Sequence, residues 1–422
     1  MSGYLGRLSR VTCACLGGIV IYDASNRDWS LRHTWSMAMK QYALFALLKI
    51  LGRYQLQRVC LDAQQGDEVQ RQLLADILQR HQDSPYALQH GLQGVATYHM
   101  FRESHPLSSP ENAERLFASF GKNIGMKEVS NIFIQRGFLP AFASLSYFFP
   151  SVVEELQRMT ALTPDLHSNL PPLEGMAHGL FNWPFSFSFL CTSPMAAYGL
   201  SEVDRSYVHT LFALKERNLN MIQASSAGVA SMLMTTAHRH RRHLVQDLRN
   251  GHLWDRRLPE HVPQPELRKE LDAALKGPDG RRSLEVDKLL KRGAGARELW
   301  PHLQAVLVTS TSTEGKEAFA ELPVYSPLYS SAHGHIGVNI FPEEPFGEWT
   351  YLLDPGSMFF ELLAVEDPSK PAIPAWEAEV GSRYALVVTT YGGLCRCQLG
   401  DIVRVHAMYG KMPIVSVELR AN

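Results

Sequence analysis

The feature that most limits the fold is a change of texture along the chain. Up to about residue 297 the apolar residues recur at helical spacing, whereas beyond residue 304 they form short β-branched or aromatic runs cut by Pro and Gly. Val69, Leu73, Leu74, Ile77 and Leu78 predict an amphipathic helix over residues 67–81, stopped by Ser84-Pro85. Val203, Tyr207, Leu211 and Leu214 predict another over 201–215, and a further helix follows over 227–248. Ser109-Pro110-Glu111 has the form of a helix start, and 140–150 reads as buried core. Residues 164–172, with three prolines, form a candidate seam between subdomains, and 259–297 is a charged outer layer with helices broken at Gly277–Gly280. Predicted strands cover 304–309, 323–325, 335–340, 349–353, 359–363 and 384–390. Helices first and a mixed sheet later imply an α/β or α+β body.

With 422 residues the chain is long enough for two or three domains. Lys plus Arg (41) balances Asp plus Glu (42), which argues against a nucleic-acid partner. The basic run from His238 to His243 reads as a solvated face, because His238, His240 and His243 do not share a helix face; no protein-held metal is expected. Six cysteines are too few for a disulfide framework, and Cys13-x-Cys15 and Cys395-x-Cys397 read as structural. Arg7 and Arg10 precede an apolar stretch over 11–22, followed by Asp23-Ala24-Ser25. That segment reads either as a signal for endoplasmic-reticulum entry or, in a cytoplasmic protein, as a buried strand or tail; it is too short to span a bilayer. The apolar stretch 42–51, interrupted by Lys49 and flanked by Lys40 and Arg53, suits a core helix.

Three segments could build a nucleotide site. The strand over 384–390 meets Gly392-Gly393-Leu394-Cys395-Arg396-Cys397, then a Gly400-Asp401 turn and a further strand, so Asp401 could accept from paired ribose hydroxyls while Arg396 or Arg404 meets phosphate or carboxylate. Tyr329-Ser330-Ser331-Ala332-His333-Gly334-His335 puts small hydroxyls on a loop feeding a strand, where His333 and His335 could titrate near neutrality or donate to an anion. Two loops compete as phosphate grip: Ser119 to Lys127, with Gly121 and Gly125, and Thr309 to Lys316, with more hydroxyls. Neither is a Walker loop.

Read in order, these residues resemble the auxin-responsive Gretchen Hagen family of acyl acid amido synthetases. Gly381 through Tyr384-Ala385-Leu386-Val387-Val388-Thr389-Thr390 and Gly393-Leu394-Cys395-Arg396 to Gly400-Asp401 is similar to its signature G-x-x-Y-E-L-V-V-T-T-x-x-G-L-Y-R-Y-x-x-G-D. Tyr329 to Asn339, Phe359-Phe360-Glu361-Leu362 and Leu299-Trp300-Pro301 resemble further family motifs, and Thr192 to Lys215 looks closer to the animal branch. The resemblance implies an α/β fold whose large amino-terminal domain is of the acyl-adenylate-forming type, with mixed sheets flanked by helices and a β-barrel-like part. It implies ATP and Mg²⁺, with a carboxylic acid activated as an acyl-adenylate and passed to an amino acid as an amide. Asp401 would accept the ribose hydroxyls, Tyr329 would flank the adenine, and Ser330 and Ser331 would line the site; the phosphate grip would fall to Ser119, Gly121, Gly125 and Lys127 instead of the Thr309 loop. His333, Arg396 and Arg404 are the candidate catalytic residues.

Departures from the family pattern define a second reading, a non-catalytic member that binds a nucleotide, an acyl ligand or a protein partner. The family's phosphate loop T-S-G-T-S-G keeps only its glycines here, and His333 occupies the place of a Glu that helps organise metal and phosphates. The chain is expected to divide into an amino-terminal extension over 1–62, a family body over 63–415 and a short tail over 416–422, with the carboxy-terminal lid absent and the site left open to water.

Overall fold

The computed structural model describes residues 18, 21–22, 34–95, 97–109, 131–148, 159–162, 194, 197, 200, 202–253, 265–331, 333–341, 343, 345 and 348–419. Its helices are α1 (Trp35–Gln64), α2 (Gly66–His81), α3 (Pro85–Gln89), α4 (Tyr98–Ser104), α5 (Leu139–Phe148), α6 (Glu202–Lys215), α7 (Ala227–Arg239), α8 (Arg241–Asn250), α9 (Pro265–Ala274), α10 (Gly280–Lys291) and α11 (Ala296–Leu299). A π-helical turn, Phe133–Phe138, leads into α5. Strands β1 (Met159–Leu162), β2 (Leu219–Ala224), β3 (Ala305–Val308) and β4 (Val324–Tyr325) form a parallel sheet in that order.

The parallel sheet follows from the helical half of the sequence, since parallel neighbours need helical crossovers and lie covered on both faces. All four residues of β3 are buried accordingly. Arg282 of α10 is buried and serves helix ends: its Nε donates to the Leu214 carbonyl at 2.7 Å and its Nη2 to that of Leu299 at 2.8 Å. Those carbonyls belong to the last turns of α6 and α11, where acceptors lack intrahelical donors. Trp300 Nε1 donates to the Ala213 carbonyl at 2.7 Å and fixes the entry into β3.

The helix expected over 227–248 is two helices. His240 breaks it, and Leu244, Val245 and Leu248 of α8 then reach the core. The Tyr207 hydroxyl, donating to Asp247 Oδ2 at 2.7 Å, holds α8 to α6. The break is set by tertiary packing, which helical spacing does not encode.

Strands β5 (Leu328–Ser331), β6 (Gly334–Val338), β7 (Tyr351–Leu353), β8 (Phe359–Ala364), β9 (Ile373–Pro374), β10 (Arg383–Thr389), β11 (Cys397–Tyr409) and β12 (Met412–Leu419) make the second sheet. It is antiparallel throughout, in the order β5-β6-β7-β12-β11-β10-β8-β9. Helix α1 docks on it at the β11–β12 turn, where Lys411 N donates to the Ala63 carbonyl at 2.9 Å. The turn residue Gly410 has φ +62°, and a Cβ there would lie 2.4 Å from the Gln64 Cα.

The expected Gly400-Asp401 turn is instead a bulge inside one long strand. Ala385 pairs with Ile402 and Val387 with Gln398, so β11 spends two extra residues there, and Gly400 takes φ +83°. The reversal of the chain lies earlier, over Thr390 to Arg396. A bulge re-aims the side chain beside it, and here it turns Asp401 into the protein.

Candidate functional site

Hydroxyl groups collect at the carboxyl end of the parallel sheet. β2 runs out through Ser225 and Ser226 into α7, and Ser226 caps that helix by accepting from Val229 N at 3.2 Å. β3 runs out through Thr309 and Ser310, whose backbone amides donate to the Ala224 and Ser225 carbonyls at 3.2 and 2.7 Å. The loop then crosses the first turn of α7: Gly315 has φ +82°, and a Cβ there would sit 2.6 Å from Gly228 N. Open parallel sheets take ligands in the crevice outside this end, where helix amino termini favour anions.

β4 leads from the same edge into β5, and β5 carries Tyr329. Its hydroxyl donates to Asp401 Oδ2 at 2.5 Å, with both residues buried. The Tyr351 ring lies 5.7 Å from that of Tyr329, and its hydroxyl donates to Ser326 Oγ at 2.8 Å. Sequence positions 329 and 401 thus meet because β5 and the β11 bulge belong to one sheet. A hydrogen bond to an ionised carboxylate is short and strong, so Tyr329 fixes the direction in which Asp401 presents its oxygens.

Arg396, five residues before Asp401, lies in a buried ion pair. Its Nε and Nη2 reach Glu361 of β8 at 3.0 and 2.9 Å, and its Nη1 donates to the carbonyls of His105 and Arg102 at 2.6 and 3.1 Å. Its backbone sits at φ +45°, held by Arg396 N donating to Thr389 Oγ1 at 3.0 Å. The adjoining residues pair with the segment after α4: Ser108 N donates to the Arg396 carbonyl at 2.9 Å and Gln398 N to that of Ser108 at 2.9 Å. Burial drives the Cys395 thiol up to about 12, so it stays protonated. His105, which also meets the Tyr86 hydroxyl, is held down to about 4, chiefly by burial. The Cys-Arg-Cys stretch therefore clamps residues 98–108 onto the sheet that carries Asp401.

A second buried ion pair lies between the π-helical turn and the end of β7. Arg136 Nη2 reaches Asp354 Oδ1 at 2.6 Å and Asp62 Oδ2 of α1 at 2.7 Å. Burial opposes its charge, but Asp354 and Asp62 outweigh burial and hold it above the ordinary arginine range. A Cβ on Gly356 would fall 2.3 Å from the Arg136 Cζ, so only glycine admits this arrangement. His335 Nε2 stands 3.7 Å from Asp354 Oδ2, fully buried, and burial pushes it down to about 4. The expectation that His335 titrates near neutrality is corrected: its strand faces the core, and desolvation outweighs the nearby carboxylate.

The remaining candidates are distributed. Ser119, Gly121, Gly125 and Lys127, with the Ser109-Pro110-Glu111 start beyond its first residue, lie outside the described residues, as do the loop 164–172 and Cys13-x-Cys15. Ser330 and Ser331 pair with His335 and Gly334, and His333 sits in the intervening turn, its backbone amide donating to Ser331 Oγ at 3.2 Å. Arg404 is on the other face of β11 from Asp401; its Nε donates to Glu418 Oε1 at 2.5 Å. Sequence reasoning placed Glu361 in the Phe359–Leu362 motif without its pairing to Arg396, and missed Arg136 and Asp354. The signal for Asp354 was Asp354-Pro355-Gly356, which reads as a turn; nothing local pairs it with Arg136. A cavity of about 250 Å³ lined by Phe212, Lys215, Glu216 and Asp279 belongs to the helical layer, and none of the site residues above lines it.

The two sheets and their helices make one mixed α/β fold. It is similar to that of a solved GH3.15 acyl acid amido synthetase, at 18% sequence identity and a TM-score of 0.66, over 84% of this chain and 68% of that one. The chain belongs to the GH3 family: residues 55–117 and 169–323 match the GH3 family N-terminal domain, and 351–420 match the GH3 family central domain. A human GH3 domain-containing protein is 35% identical over 147 residues, 32% of this chain and 27% of that protein. The indole-3-acetic acid-amido synthetase GH3.5 of Arabidopsis thaliana is 26% identical over 423 aligned positions, 85% of this chain and 68% of the relative. The matched part thus spans about a quarter of the human relative and two thirds of the plant one.

Proposed function

We propose that this chain binds a nucleotide at Asp401 and carries the acid–amino acid ligase-like chemistry of its family, joining an activated carboxylic acid to an amino acid. The observation that supports it most is the Tyr329 hydroxyl on the Asp401 carboxylate. Asp401 would accept from the two ribose hydroxyls, and Tyr329 would keep its carboxylate aimed at them. Ser226 and the first turn of α7 offer donors suited to phosphate oxygens. Arg396 acts as a positioning residue: through Glu361 and the carbonyls of residues 102 and 105 it holds residues 98–108 against the sheet that carries Asp401.

The described residues do not fit a protein-held Mg²⁺. No three of their His, Cys, Asp or Glu side chains converge to hold a metal, and His333 stands where the resembling motif has Glu. A hard dication takes oxygen ligands, so no step is assigned to a metal here.

The imidazole at position 333 favours the second reading, nucleotide binding without ligation. Pyrophosphate release from ATP, measured with mixed carboxylic acids and amino acids, separates the two. Acid-stimulated release is expected for the ligase. If ATP raises the melting temperature while no acid stimulates release, the ligase reading fails and the binding reading stands; if ATP does neither, both fail.

A further inference from the structure

Helix α1 is apolar on the wrong side. A helix packed on one flank normally turns a polar face outward. Its inner flank is accounted for: a Cβ on Gly52 would lie 2.6 Å from the Leu139 carbonyl oxygen of α5, Val59 and Ala63 are fully buried, and Asp62 points inward to Arg136. Its outer flank nevertheless carries Leu47, Ile50, Leu51, Tyr54 and Leu61, from 40% to 69% exposed. Leu47, Ile50, Leu51 and Tyr54 recur at i, i+3, i+4 and i+7 as one continuous stripe, and Leu61 at i+14 takes it up again beyond Gln57 and Arg58. The neighbouring α2 shows the ordinary arrangement, with Leu73, Leu74, Ile77 and Leu78 all inward.

The charge around the stripe selects what covers it. Arg53 and Arg58 are exposed on the same flank and form no ion pair among the described residues. Between Trp35 and Leu61 the helix has no Asp or Glu. An outward face of large apolar side chains and guanidinium groups unpaired among the described residues matches the boundary between acyl chains and anionic headgroups, where an apolar stripe sinks about 5–10 Å and cations meet phosphates. No described helix is long and apolar enough to cross a membrane, so the stripe would lie in the plane of the surface. Leu47 to Tyr54 precede the family-matched residues, which begin at 55, so the device is additional to the nucleotide site and does not rest on it.

We infer that the outer face of α1 docks the protein on an anionic lipid surface. Sedimentation of the full chain with neutral phosphatidylcholine vesicles, and with vesicles holding about 30% phosphatidylserine, tests this. Co-sedimentation with the anionic vesicles is expected, weakened at about 0.5 M salt. Ile50→Glu with Tyr54→Glu is expected to abolish it. Arg53→Gln with Arg58→Gln should lower binding to anionic vesicles by about fivefold per arginine and leave neutral vesicles unchanged. All four side chains are exposed, so an unchanged melting temperature certifies the variants' fold. Wild-type protein that stays in the supernatant, or variants that bind like wild type, would overturn the inference. So would a solution dimer that the double Glu variant splits without any vesicle binding, since the face would then join two copies of the chain.

Discussion

The two sheets contribute to the candidate site in opposite ways. The parallel sheet offers hydroxyls and backbone amides at its carboxyl edge, on Ser225, Ser226, Thr309 and Ser310, engaged in local hydrogen bonds. Buried charges are the contribution of the antiparallel sheet: Asp401 under Tyr329, Arg396 on Glu361, Arg136 on Asp354. A buried charge is costly unless it is paired and hydrogen-bonded, so these groups are held in one geometry by the cost of releasing them. Hydroxyls at a strand end are cheap to satisfy and free to re-pair with a ligand. The contrast assigns orientation to one sheet and adaptable contacts to the other.

The largest effect should come from unpairing a charge in the antiparallel sheet. Glu361→Ala leaves the Arg396 cation buried without its carboxylate and is expected to cost about 3–5 kcal/mol in denaturant unfolding. Gly356→Ala should act similarly by displacing Arg136 from Asp354, and a loss below about 1 kcal/mol for either would show that the pairs do not hold the sheet.

Acidification is expected to act next. His335 has its folded value lowered to about 4 against about 6.5 in the unfolded chain. Between those values the unfolded state binds the proton and the native state does not, so stability falls as pH drops from about 6.5 to about 4, by on the order of 3 kcal/mol from His335. Urea midpoints along that range should track this loss, and His335→Leu should make it shallower, leaving the share of His105, which is also held down to about 4.

The smallest stability effect belongs to the parallel edge. Ser226→Ala removes a helix cap worth about 1 kcal/mol and should leave the antiparallel sheet untouched, which hydrogen exchange resolved by residue would report.

Much of this architecture was legible in the sequence, because the periods of 3.6 and 2 mark it directly. The helices at 66–81 and 202–215 and the strands at 305–308, 359–364 and 383–389 fall where spacing put them. The proximity of Tyr329 and Asp401 was legible only through the ordered motifs, since their contact spans 72 positions. The Gly400 bulge was illegible because Gly-Asp after a strand looks the same whether the partner strand continues or ends. Buried pairs such as Arg396–Glu361 were hidden for a related reason: a lone Arg in a loop motif invites a ligand, and only the fold shows that a carboxylate 35 residues away already meets it. His335 misled because burial, not residue type, sets whether an imidazole titrates near neutrality.

The central claim is that Asp401, aimed by Tyr329, receives ribose hydroxyls. Calorimetric titration of the wild-type chain and of Asp401→Asn with ATP and with 2′,3′-dideoxy-ATP tests it most directly. The expected result is that wild type binds ATP at least about tenfold more tightly than the dideoxy analogue, and that Asp401→Asn erases the difference while melting normally. Equal affinity of the wild-type chain for both nucleotides, or a preference that survives in Asp401→Asn, would contradict it.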